Sequence, residues 1–153
     1  EMCIRDRLTS DQGWNIKKNY SYLKKIIERL QKHKVRTSLF LDPDFEQIEL
    51  AKKIGADRIE FYTGPFAKAY LESEEEGEKS FVIFNEAAIY ADSLGLEINA
   101  GHDLNKQNLL VFRYLHALKE VSIGHAIVSE SVEFGWQNTI HQYLKTLRFG
   151  SKF

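Results

Sequence analysis

Four short runs with strand chemistry, Val35–Leu41, Arg58–Gly64, Leu94–Gly101 and Glu120–Ile123, alternate along this chain with segments whose apolar residues recur at helical spacing. That alternation is the strongest constraint on the fold, because parallel strands joined by right-handed helical crossovers bury such a pattern well. An α/β fold with a parallel sheet is therefore expected. In such folds the carboxyl ends of the strands are where ligands meet the protein. Four strands in 153 residues fit a small open sheet or part of a (β/α)8 barrel, which typically needs about 250 residues.

The helical segments carry recognisable ends. Asn15 is a plausible N-cap for an amphipathic helix running to about Lys34, with Ile16, Tyr20, Leu23, Ile27 and Leu30 on its apolar face. Asp44 can cap the next one, which carries Phe45, Ile48, Leu50 and Ala51 and stops at Gly55. Phe66 to Leu71 reads as a helical turn, and the charge run Glu72 to Lys79 as a solvated loop or helix start. A helix is expected over Phe81 to Leu94. Another, capped by Asn105, carries Leu109, Leu110, Phe112, Leu115 and Leu118, and a last helical region spans Ala126 to Leu147 with a break at Gly135. The heptapeptide Glu1 to Arg7 has neither period nor cap and resembles a translated sequencing-adapter remnant. Residues 8–153 are then one partial domain, and a barrel leads if the chain is incomplete.

Composition narrows the chemistry. A hydrophobic content of 43% supplies one ordinary core, and 21 basic against 22 acidic residues leave no global attraction to nucleic acid or anionic membrane. A small-molecule partner is the default. The single cysteine, Cys3, suits a reducing cytosol, and no apolar run is long enough to span a bilayer, so a cytoplasmic location is expected. No glycine-rich dinucleotide or phosphate loop is present, and no histidine or cysteine pair stands at metal-ligand spacing, so neither cofactor nor metal is expected.

Three polar residues stand on or at the ends of successive strands. His102 follows Ala100-Gly101, His125 follows Ile123-Gly124 about one βα unit later, and Glu60 lies inside an otherwise apolar strand. In parallel strands the two histidines share one end of the sheet. His102 suits proton transfer, and Glu60 suits a base or the stabilisation of a cationic intermediate. Gly124-His125 before a helix offers backbone N–H groups and a positive dipole end, a ready phosphate site. A histidine after a glycine is also a common helix cap or loop residue, and Glu60 can equally face outward.

The stretches Thr37–Asp42, Gly55–Gly64, Leu94–Leu104 and Ser122–Val128, in this order and spacing, resemble the carboxyl-terminal part of the pyridoxine 5′-phosphate synthase family. The resemblance runs from about Leu8 to Leu147. It implies about four βα units of a (β/α)8 barrel that condenses 1-deoxy-D-xylulose 5-phosphate with 3-amino-2-oxopropyl phosphate, releasing phosphate and water. It also implies that His102 is the proton donor and that Glu60 stabilises the transition state. Gly124 and His125 then hold the phosphate of the amino-ketone, Asp103 contributes to the same pocket, and Thr9 contacts the deoxyxylulose phosphate. Asp103 stands where many members have glycine. The family's first half, with its other catalytic groups, has no counterpart here, so the fragment is expected to be inactive, and the family's octamer is expected of the parent alone. Another phosphate-handling barrel enzyme, of isomerase or aldolase type, or a non-catalytic half-barrel binding module, would share most of these features.

Overall fold

The computed structural model describes residues 11–148. Its first helix, α1 (Ile16–Lys32), starts where Asn15 leaves the extended conformation and its side chain accepts from the Lys18 N–H at 2.9 Å. The Asp44 carboxylate does the same for α2 (Phe45–Lys53), accepting from the Gln47 N–H at 3.0 Å. Both caps satisfy amide donors that the first turn leaves without helical partners.

Four parallel strands, β1 (Ser38–Leu41), β2 (Arg58–Tyr62), β3 (Glu97–Gly101) and β4 (Leu118–Ser122), pair in consecutive order. Consecutive order with right-handed crossovers places the connecting helices on one side of the sheet. Burial agrees. Leu39, Leu41, Ile59, Phe61, Ile98 and Ala100 form one face and join a core with Ile16, Leu23, Ile48, Phe84, Ala87, Ala88 and Phe112 from the helices.

The opposite face is mostly polar. Register sets Phe40, Glu60, Asn99 and Glu120 in one row, with Tyr62, Gly101 and Ser122 in a row nearer the carboxyl ends. Phe40 is its apolar exception, its ring 5.5 Å from that of Tyr62. At the amino-terminal end, Arg58 donates from Nε to Glu97 at 2.6 Å and from a terminal nitrogen to Asn99 at 3.2 Å, and it also pairs with Glu120. One guanidinium thus ties three strands. Its side chain is 9% exposed while both carboxylates are about half in water, so solvent screening reduces the pairs' worth. Replacing Arg58 by Met is expected to lower stability by about 1–2 kcal/mol, less than the loss from a fully buried pair, and chemical denaturation measures it.

The charge run belongs to a helix. Ser73 caps α4 (Glu74–Ser93) by accepting from the Glu76 N–H at 3.1 Å, and Glu74, Glu75 and Glu76 occupy the first turn, where negative charge complements the helix dipole. The preceding α3 (Gly64–Glu72) begins two residues before Phe66. The helix expected from Asn105 to Leu118 is much shorter. Only α5 (Leu109–Phe112) is α-helical, Ala117 takes a positive φ of 52°, and Leu118 opens β4. The final region divides at Gly135, φ 78°, into α6 (His125–Phe134) and α7 (Trp136–Arg148). Among the described residues no helix is long and apolar enough to cross a membrane.

Candidate functional site

At the carboxyl end of β3 the backbone does something that side chains resist. His102 and Asp103 take φ values of 94° and 56° in succession. Non-glycine residues rarely adopt positive φ, and each such residue costs on the order of 1 kcal/mol or more. The surroundings hold the turn from both sides. The buried Thr63 hydroxyl donates to the His102 carbonyl, and the buried Asn108 carboxamide donates to the Asp103 carbonyl at 3.0 Å.

Gly101, immediately before the turn, has a different reason for being glycine. Any Cβ there would overlap the Glu60 carboxylate and lie 2.9 Å from the Ser122 Cβ. Glu60 therefore turns onto the polar face of the sheet and lies against the backbone that leads into His102. Glu60 thus lies on the face of the sheet that the helices leave uncovered.

The His102 ring stands edge-on to Tyr62, centroids 5.0 Å apart at 80°. Its Nδ1 lies 3.1 Å from an Asp103 carboxylate oxygen, but the alignment is not that of a hydrogen bond, and Nδ1 is buried without one. Burial, followed by the carboxylates of Asp103, Asp11 and Asp42, pushes the Tyr62 hydroxyl above its ordinary pKa. Tyr62 accordingly keeps its proton and can donate to a ligand.

These groups border one open cavity of about 1230 Å3, lined by Tyr62, Lys68, His102, Asp103, Asn108, Gly124 and His125 among others. Four of the residues singled out in the sequence, His102, Asp103, Gly124 and His125, thus meet in one place. Glu60 is not on the cavity wall; it sits one row deeper, beneath Tyr62 and Gly101. Thr9 lies outside the described residues. The sequence reading did not single out Tyr62, Lys68 or Asn108. Tyr62 was within reach, since it lies two residues after Glu60 and so on the same face of the strand.

The opposite wall begins α6, whose N-cap Gly124 provides no side-chain cap, while His125 is exposed at the first helical position. Uncapped first-turn N–H groups with the positive end of the dipole favour an anion. Behind the helix a polar cluster fixes its position. Lys106 pairs with Glu130 at 3.0 Å, and the Tyr143 hydroxyl donates to Glu130 at 3.0 Å. Burial, and then the Glu130 carboxylate, pushes the Tyr143 pKa upward, so this donor stays protonated.

A four-stranded parallel sheet with an imidazole and a helix amino terminus bordering one cavity at its strand ends makes this an α/β protein. The chain belongs to the family described as pyridoxal phosphate biosynthesis protein PdxJ, which matches residues 4–149. It is 46% identical over 147 residues to the pyridoxine 5′-phosphate synthase of Leptospira biflexa, covering 95% of this chain and 56% of that protein. The synthase of Flavobacterium johnsoniae is 46% identical over 92% of this chain and 59% of its own length. That of Parabacteroides distasonis is 45% identical over 90% and 57%. The chain thus spans a little over half the length of these relatives.

Proposed function

We propose that the chain is the carboxyl-terminal part of a cytoplasmic pyridoxine 5′-phosphate synthase, about four βα units of a (β/α)8 barrel. The parent condenses 1-deoxy-D-xylulose 5-phosphate with 3-amino-2-oxopropyl phosphate to pyridoxine 5′-phosphate, with loss of phosphate and water, and assembles as a homo-octamer. Consecutive strand order with the helices packed on one face supports the barrel, because a doubly wound sheet reverses its strand order and carries helices on both faces. The relatives' greater length supports the missing units.

The observation that carries the reading is the cavity into which His102 and Gly124-His125 both open. His102, protonated, delivers a proton to a leaving or developing oxygen of the condensing substrates. Glu60, one row deeper on the same face of the sheet, stabilises the transition state. The amides of Gly124 and His125 hold the amino-ketone phosphate, with His125 adding charge when protonated. Asp103 places a carboxylate in the same pocket, which opposes an anion there unless protonated or paired. Thr9 reaches the phosphate of the deoxyxylulose substrate.

Two measurements on the purified chain test this. Titration with inorganic phosphate is expected to move the amide resonances of Gly124, His125 and Ala126 together, and their invariance would count against the anion site. Supplied with both substrates, the chain alone is expected to form no pyridoxine 5′-phosphate, and measurable product contradicts the need for the missing units.

A further inference from the structure

We propose that Thr63 and Asn108 are positioning residues, a two-sided clamp that holds the His102–Asp103 turn so that His102 offers Nε2 to the cavity and turns Nδ1 toward the Asp103 carboxylate. The inference rests on the reading of His102 as the acid, and it assigns the two residues that give the acid its orientation. Both are buried side chains whose hydrogen bonds end on the backbone of that turn.

The first side extends the sheet. The β2–β3 ladder reaches Tyr62 and Gly101, and the Thr63 N–H adds a rung to the Gly101 carbonyl at 2.9 Å. A further rung needs a donor beyond Thr63, but there the chain has already entered α3 at Gly64. The Thr63 hydroxyl supplies that donor to the His102 carbonyl. Serine and threonine can both do this, whereas valine fills the same volume and cannot.

The second side replaces a strand that is absent from the turn. Asn108 donates to the Asp103 carbonyl at 3.0 Å and accepts from the Asn105 N–H at 2.8 Å, so one carboxamide bridges the loop as a peptide group would. Asn105 returns the favour, its own side chain accepting from the Asn108 N–H at 3.0 Å. Both carbonyls of the two positive-φ residues are thereby engaged. Such conformations persist where the surroundings over-determine them.

The consequence falls on the ring. A lone pair on Nδ1 would face the Asp103 carboxylate oxygen 3.1 Å away, so the proton that remains after His102 donates is favoured at Nδ1 by that repulsion, without a hydrogen bond. Nε2 is then the nitrogen that gives the proton to substrate and recovers it from water. A neighbouring carboxylate commonly fixes a functional histidine in this sense.

Ring nitrogen spectra of the 15N-labelled chain read this without any activity assay. In the unsubstituted chain, neutral His102 is expected as a single Nδ1-protonated tautomer, and a ring averaged between tautomers overturns the proposal. Thr63→Val is expected to produce that averaging while His125 keeps its pattern, and Thr63→Ser to restore the single tautomer. A Thr63→Val chain with an unchanged His102 ring, or a Ser chain as altered as the Val chain, overturns the clamp as a hydrogen-bonding device. Should Thr63→Val fail to fold, Asn108→Asp removes the donor to Asp103 with little change in volume, and the same averaging is expected. The catalytic reading fails separately, if His102→Asn leaves the full-length enzyme active.

Discussion

Substituting His102 by Asn in a full-length protein, completed with the amino-terminal part of the Leptospira biflexa relative, is expected to lower kcat by about 10²–10⁴-fold, the usual range for one acid–base group. Asparagine keeps a polar amide of similar reach but carries no titrating proton. It also tolerates a positive φ better than most residues, and His102 has a φ of 94°. The turn is therefore expected to survive while the proton is lost. KM for either substrate should change little, since the phosphate contacts are assigned to Gly124 and His125 for the amino-ketone and to Thr9 for the deoxyxylulose phosphate, not to His102. Steady-state kinetics of the two chimeras side by side decide the matter. A fall in kcat of under threefold, with the unsubstituted chimera active, would sink the assignment of His102 as the acid. A large rise in KM with kcat preserved would reassign it to binding.

Much of the fold was legible because it depends on local chemistry. Asn15 and Asp44 cap helices in the structure as their sequence contexts suggest, and Gly135 breaks the last helical region where expected. The ends of β1 and β3 also followed, at Leu41 before Asp42 and at Gly101, whereas β2 stops at Tyr62 and β4 at Ser122, short of the expected Gly64 and Ile123. The helix drawn through Leu118 failed for an identifiable reason. Leu115 and Leu118 have helical spacing, but Leu118 belongs to a strand that pairs with Ile98, and that pairing outweighs local period. Arg58 was illegible in a deeper sense. Its partners Glu97 and Glu120 lie 39 and 62 residues away, and only strand register brings them to one point. Asn108 is similar: nothing in a run of polar residues after His102 marks which amide will fold back beneath the turn. His102 and His125 could be paired in advance because each ends a strand of the same parallel set.

Phe112→Ala is expected to cost about 3–5 kcal/mol, the range for deleting a buried aromatic side chain. Its ring is fully buried and contacts three others, with centroids 4.7 Å from Phe66, 5.5 Å from Phe84 and 6.0 Å from Phe81. These come from α3 and α4, so the side chain joins both helices to α5, which has only four residues. So short a helix has no stability of its own and persists through packing. The loss should therefore be greatest around α5 and pass to the loop before it. Asn108 directly precedes α5, and it holds the Asp103 carbonyl. Thermal unfolding is expected to fall by roughly 6–20 °C, from about 2–4 °C per kcal/mol for a chain of this size. Below that transition, hydrogen exchange at residues 104–109 should accelerate more than at β1 or β2. Loss of protection spread evenly over the sheet would instead mean that Phe112 supports the whole core and that the His102 turn is held independently of it.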